Sequence, residues 1–144
     1  MEVSGDAEVR AVLADLEAYA EVRMTSETGG QKGVKPARVD QIPADVLLLL
    51  AERYGNGNAK YPTEPGGLDN WRKGYPWSQS YAAMMRHALK FWAGEDRDPD
   101  TGEFHTIAVA WHALTMTKWQ LDGNMARFDD RQDARSAEQV IADV

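Results

Sequence analysis

Residues 94–105 read GEDRDPDTGEFH, and this stretch sets Asp96, Asp98 and Asp100 at alternate positions ahead of Gly102 and His105. Alternating carboxylates before a glycine are how a loop gathers oxygen ligands around a hard cation. Counted from Asp96, however, Gly102 falls at position 7 and Ile107 at position 12, and Pro99 interrupts the run. A calcium EF-hand loop needs Gly at 6 and Glu at 12, so that motif is excluded. Three readings stay open. The stretch is a Mg²⁺ site built from Asp96, Asp98 and Asp100, the acidic wall of a phosphate site, or a polar turn. In the last case Asp100 and Glu103 form an Asp-x-x-Glu capping box for the helix that follows.

The histidines are His87, His105 and His112. His105 and His112 are seven residues apart and so share one face of a helix. No His-Asp dipeptide and no His-Glu-x-x-His run occurs, which removes two signatures of metal-dependent hydrolases. His112 lies in an apolar run and reads as a core residue. His87 and His105 stand among charged groups and read as a general base or a phosphate donor, with Asp98 as the third catalytic candidate.

Cations and aromatic rings supply the rest of the chemistry. Arg86 and Lys90 are four residues apart and share a helix face. Arginine suits bidentate phosphate recognition, and lysine binds phosphate as a point charge. Lys60 and Tyr61, then Asn70 and Trp71, set rings beside polar and cationic groups in AKY and NWRKG. Such rings stack on bases while neighbouring cations hold phosphate. Lys35 and Arg38 complete the expected substrate-binding set.

Four principal helices are expected to position these residues. Val9, Val12, Leu13, Leu16 and Ala20 have the spacing of an amphipathic helix over 6–23. TSETGGQKGVKP has no periodicity and reads as a loop. Pro43 suits the first turn of a second helix, whose VLLLL is apolar on every side and is expected to be buried. Gly55 and Gly57 are expected to stop it near Tyr54. Residues 56–77 hold three of the six prolines and four of the twelve glycines together with Tyr61, Trp71, Tyr75 and Trp77. They read as one long ordered loop lying over the third helix. That helix is expected over 78–93, with a stripe of Tyr81, Met84, Met85, Ala88, Phe91 and Trp92. A fourth is expected over 101–121, with Ile107, Ala108, Trp111, Leu114 and Thr115 on one face. A short helix is expected at 134–141. No repeat or strand-like alternation is visible, so the class is all-α with one long aromatic-rich loop between helices 2 and 3. The organisation is an N-terminal helix and linker (1–29), a nucleotide-handling core (30–121) and an acidic C-terminal extension (122–144).

Bulk properties narrow the function further. The 144 residues are enough for one domain with a real core, and 43% hydrophobic content with five Trp argues against disorder. No apolar run is long enough to span a bilayer, no basic-then-apolar leader opens the chain, and Cys is absent. A cytoplasmic location without membrane contact is therefore expected. The net charge of −7 is uneven. Residues 1–30 carry seven acidic and two basic groups, whereas 35–90 carry eight basic and five acidic. That excess is small for duplex nucleic acid, whose binding rests on phosphate neutralisation, but sufficient for a small anionic ligand. The apolar second and fourth helices exceed what one small domain buries, so a homodimer is expected.

KPARVDQIP, ERYGNGNAKY, NWRKGYPW, YAAMMRHALKFWAGEDRDPDTGEFH and AVAWHALTM together resemble the dATP/dGTP diphosphohydrolase N-terminal domain family. This phage-enriched family comprises small helical proteins. The resemblance covers about residues 30–120. It implies matching positions at Lys35, Arg38, Tyr54, Gly55, Lys60, Tyr61, Asn70, Trp71, Arg86, His87, Asp98, Gly102 and His105. It implies nucleotide handling, and the expected activity is that of a Mg²⁺-dependent pyrophosphohydrolase of purine (deoxy)nucleoside triphosphates. The alternative is a nucleotide-binding protein without turnover, such as a sponge that sequesters a host defence signal in an infected cell.

Overall fold

The computed structural model describes residues 10–14, 22–131 and 142. It is mostly helical, with one small hairpin. Strands β1 (Val22–Thr25) and β2 (Gln31–Val34) pair antiparallel, Val22 opposite Val34. The Ser26 and Gly29 backbones close the turn, with Gly29 at φ 86°. A 3-10 turn (Val39–Gln41) leads into α1 (Ala44–Lys60), and a single turn α2 (Asn70–Lys73) precedes α3 (Trp77–Trp92). Helix α4 (His105–Leu121) and a final 3-10 segment (Gly123–Phe128) complete the described chain. Helix α4 is central, packing on α3 along one side and on α1 along another.

The hairpin corrects the all-α expectation. The predicted loop at 25–36 supplies β2, and Val22 and Arg23 belong to a strand rather than to the end of a helix over 6–23. Residues 10–14 of that helix are helical, and 15–21 lie outside the described residues. The strands betray no alternation because β1 is exposed on both faces, leaving no buried side to pattern. The expected helix at 134–141 also lies outside the described residues.

Helix α1 runs past both predicted stop signals to Lys60. Each interior glycine costs about 1 kcal/mol relative to alanine, but tertiary contacts hold this turn. The Tyr54 hydroxyl is 3.1 Å from Thr115 Oγ1 on α4, and Asn56 donates to Glu103 at 3.3 Å. The VLLLL run is not buried as expected: Val46, Leu47, Leu48 and Leu49 are exposed, Leu48 at 70%. A helix that is apolar all round needs a neighbour on every side, and the described chain supplies one only on the α4 side.

The expected loop over 56–77 shrinks to 61–69 and a short link at 74–76, because helix occupies both of its ends and 70–73. It is ordered by Thr63 Oγ1 donating to the Leu68 carbonyl at 2.5 Å and by a turn at Gly66, φ 76°. Its aromatics do not lie over the third helix alone. Trp119 Nε1 on α4 donates to the Trp71 carbonyl at 2.9 Å, and the Trp71 ring meets Tyr54 of α1 edge-on. Gly74, at φ 80°, lets the chain turn into α3 beneath the last 3-10 segment. A Cβ there would come within 2.6 Å of Phe128 Cδ2 and 2.8 Å of Met125 Sδ, so only glycine fits.

Helices α3 and α4 meet along matching seams with the 3–4 spacing of antiparallel coiled packing. On α3 the inward residues are Trp77, Ser80, Met84 and His87; on α4 they are His105, Ala108, His112, Thr115 and Trp119. Trp77 stacks on Trp119 at one end, with Met125 packed against both. The expected α3 stripe is thus only half inward. Met84 and Ala88 are half-buried, but Tyr81, Met85, Phe91 and Trp92 are exposed, Trp92 at 85%. Leu114 on α4 is exposed as well. Asp130 closes the start of α3 by accepting from the Ser78 backbone at 2.9 Å and its hydroxyl at 2.5 Å. No helix among the described residues is long and apolar enough to cross a membrane.

Candidate functional site

Polar layers interrupt the α3–α4 seam beyond its tryptophan end. Ser80 Oγ is 2.9 Å from His112 Nδ1 and 3.2 Å from the Tyr75 hydroxyl. Two turns further along α3, His87 Nδ1 lies 2.8 Å from His105 Nδ1. The opposite edge of the His105 ring is also engaged: Nε2 is 2.7 Å from Glu95 Oε1. A carboxylate only accepts, so Nε2 of His105 carries the proton. With one proton on that ring its Nδ1 is a lone pair, and His87 Nδ1–H donates to it. His105 is fully buried, and Ser80 and His112 nearly so.

The segment 93–104 bends back to deliver Asp98 to this pair. Gly94 at φ 97° ends α3, the Asp98 backbone N–H donates to the Glu103 carbonyl at 2.9 Å, and Gly102 at φ 75° closes the turn on the Asp98 carbonyl. Ligand atoms of His87, Asp98 and His105 all lie within 4.8 Å of one another. The Asp98 carboxylate accepts the Asp100 backbone N–H at 2.9 Å. That bond, reinforced by the charge of Lys90, holds the Asp98 pKa below the usual carboxylate range, so it is ionised at neutral pH. Burial, then the Arg53 charge, lowers the His87 pKa and keeps the ring neutral.

Asp100 does not cap α4. The helix starts at His105 with Phe104 in the cap position and no side-chain cap, so the expected box with Glu103 is absent. Glu103 is drawn sideways to α1, where it pairs with Arg53 and accepts from Asn56. Asp96 and Asp100 are exposed and serve through their backbones, the Asp96 carbonyl accepting the His105 N–H at 3.0 Å. Of the three alternate aspartates, only Asp98 joins the histidines.

A row of rings leads away from this cluster. His87 stacks on His112 (6.4 Å between centroids), and Trp111 meets His112 edge-on at 4.8 Å. Trp111 packs on Tyr54 at 5.6 Å and Tyr54 on Trp71 at 5.7 Å. Tyr54 and Trp71 open onto a cleft of about 460 Å³, lined also by Asn58, Arg72 and Lys118. The Arg72 guanidinium covers the Trp71 ring at 4.2 Å. Among the described residues, Arg53 Nε and Trp111 Nε1 are buried donors without an acceptor.

The remaining expected residues are dispersed. Asn70 and Trp71 are half-buried at the start of α2. Arg86 and Lys90 are exposed on α3, yet their charges reach the site, Arg86 acting on His112 and Lys90 on His87. Lys60 lies 5.4 Å from the Tyr61 ring at the exposed end of α1. Lys35 is exposed beyond β2, and Arg38 pairs with Asp40 at 2.6 Å. Among the described residues, no hydrogen bond or ion pair joins these last four to the histidine cluster. Sequence reasoning missed Arg53, Glu95 and the structural use of Glu103. Glu95 had a signal, since Glu95-x-x-Asp98 is a ligand-like spacing; Arg53 had none.

Fold and site together define a small helical protein whose buried histidines are joined by a row of packed rings to an aromatic cleft. The family model described as "dATP/dGTP diphosphohydrolase, N-terminal" matches residues 26–131. The chain belongs to that family, and the matched span takes in every residue of the cluster and the cleft. Comparison with curated proteins and with solved structures gives no match.

Burial, then the charges of Arg53, His87 and Arg86, pushes the His112 pKa down from 6.5 to about 4. The unfolded chain therefore binds more protons between those values, and His112 contributes stability that is complete above about pH 6.5 and lost as pH falls towards 4. Urea unfolding at pH 7.5 and pH 4.5 is expected to differ by on the order of 2 kcal/mol from this group. His112→Asn should flatten that slope; an unchanged slope would show that His112 titrates as freely folded as unfolded.

Proposed function

We propose that this chain binds a purine (deoxy)nucleoside triphosphate and hydrolyses it to the monophosphate and pyrophosphate. Membership of a family named for dATP/dGTP diphosphohydrolases supports a nucleotide-related role. The observation that carries the reading is the unbroken row of rings from Trp71 and Tyr54 to His87 and His105. A base stacked in the Trp71 cleft would place its phosphates along this row. There the orphaned donors Arg53 Nε and Trp111 Nε1 would meet phosphate oxygens, and Arg86 and Lys90 would add charge from α3.

In the reaction, water attacks the α-phosphorus, the bond from that phosphorus to the β-bridging oxygen breaks, and pyrophosphate leaves with the electron pair. The proton lost by water passes to a basic group of the His87–Asp98–His105 cluster. Magnesium entering with the triphosphate supplies neutralisation of charge on the phosphate oxygens. Burial of the cluster strengthens each of these electrostatic interactions. A second reading, capture without turnover, is favoured by one observation: Asp96 and Asp100 stay outside the cluster, leaving a single aspartate where a carboxylate-rich magnesium site was expected.

One assay separates the two. Incubation with a nucleotide panel should convert purine triphosphates to monophosphate and pyrophosphate, and Asp98→Asn should abolish turnover without lowering the melting temperature. Trp71→Ala should weaken binding by about 1–3 kcal/mol, the scale of one base–aromatic stack. Retention without turnover, with Asp98→Asn leaving affinity within about threefold, or roughly 0.6 kcal/mol, would select the binding reading. Neither turnover nor retention would remove nucleotide from the account.

A second copy of this chain completes the surface. Tyr81, Met85, Leu89 and Trp92 follow one another at spacings of four, four and three along the outer face of α3, exposed at 56%, 36%, 63% and 85%. Val46 to Leu49 of α1 add further exposed apolar side chains elsewhere on the surface. Sedimentation of the full chain should report a dimer, and Leu89→Glu with Trp92→Glu a folded monomer. A wild-type monomer at micromolar concentration would exclude the dimer.

A further inference from the structure

We infer that His87, Asp98 and His105 form a nitrogen-rich metal centre that takes a first-row transition dication, of the Mn²⁺ to Zn²⁺ series, in preference to Mg²⁺. Two imidazoles and one carboxylate on one side of an ion leave its other positions open. Imidazole nitrogen suits zinc, iron, cobalt and nickel, whereas Mg²⁺ demands oxygen ligands and keeps its waters. The set is therefore selective by donor chemistry, and differs from the three-aspartate site expected from the sequence.

The geometry is close to what such an ion needs. An ion about 2.1 Å from each ligand holds neighbouring ligand atoms roughly 3 Å apart. The two Nδ1 atoms are 2.8 Å apart, and all three ligand atoms lie within 4.8 Å of one another. A small rotation of the exposed-side Asp98 carboxylate closes the remainder. His105 already has its Nδ1 lone pair turned to this point, and the His87 proton needs only to move to Nε2 of its own ring.

Glu95 is the independent observation. Histidines that bind metal through one nitrogen almost always donate the other N–H to a carboxylate or carbonyl, which fixes the ring and raises its basicity. Glu95 Oε1, 2.7 Å from His105 Nε2, occupies that outer position on the fully buried ring. Glu95 is thus a positioning residue that acts on the metal through His105.

The inference rests on the site proposed above and gives its cluster a metal-holding role in place of the proton-accepting one; it is measured on the metal alone, so its failure is separate from that of the nucleotide reading. Tag-free protein stripped with a chelator is titrated calorimetrically with Co²⁺, Zn²⁺ and Mg²⁺. One Co²⁺ or Zn²⁺ per chain should bind, with Mg²⁺ at least 100-fold weaker. His87→Ala and Asp98→Asn should each lose at least tenfold, and Glu95→Gln about 10- to 100-fold, while Asp96→Asn and Asp100→Asn change nothing. The visible Co²⁺ spectrum of the unsubstituted protein reads the donor set even if a variant fails to fold. A spectrum of oxygen ligands only, equal affinity for Mg²⁺ and Co²⁺, or full affinity in His87→Ala would overturn the centre.

Discussion

The contact between His87 and His105 is the constraint on which the rest of the architecture turns. Two ring nitrogens 2.8 Å apart in a buried seam cannot both carry protons. Their bond exists only if a third group fixes one tautomer, and Glu95 does so from the far side of His105. Together with Ser80 and His112 one layer along, this pair sets the register of α3 against α4. Sliding one helix past the other would bury unpaired nitrogens and a hydroxyl, at about 1–3 kcal/mol for each orphaned group.

Helix α1 then locks what the seam has arranged. Its Arg53 reaches Glu103 on the turn that carries Asp98, and Tyr54 reaches Thr115 on α4. Both ties come from consecutive residues, so α1 holds the acidic turn and the ring row at once. Buried ion pairs of this kind add little net stability but are costly to break. Their service here is geometric: they keep a carboxylate beside two imidazoles. The same helix leaves four large apolar side chains exposed on its other faces.

Much of this was legible in the sequence. The positions of α1, α3 and α4 followed from apolar spacing and from Pro43; His87 and His105 were singled out by their charged surroundings and Asp98 by the run of alternating aspartates, and the structure brings these three together. The errors have physical causes. Gly55 and Gly57 are local stop signals that the ties of Tyr54 and Asn56 outweigh. The hairpin has no buried face and therefore no alternation. Hydrophobicity alone turned α3 so that Tyr81 and Trp92 faced inward, whereas its inward face contains Ser80 and His87, polar residues whose partners on α4 lie 32 and 18 positions away in the chain. Arg53 could not be singled out, because nothing beside it in sequence announces Glu103.

The central claim is that Glu95 imposes a single tautomer on His105 and so turns its Nδ1 lone pair towards His87 and Asp98. Imidazole ¹⁵N NMR of the full chain at neutral pH, free of metal, measures this directly. The account predicts a His105 ring protonated on Nε2 only, with His87 protonated on Nδ1, and loss of that His105 assignment in Glu95→Ala. A His105 ring protonated on Nδ1, or a tautomer unchanged by removing Glu95, would contradict it.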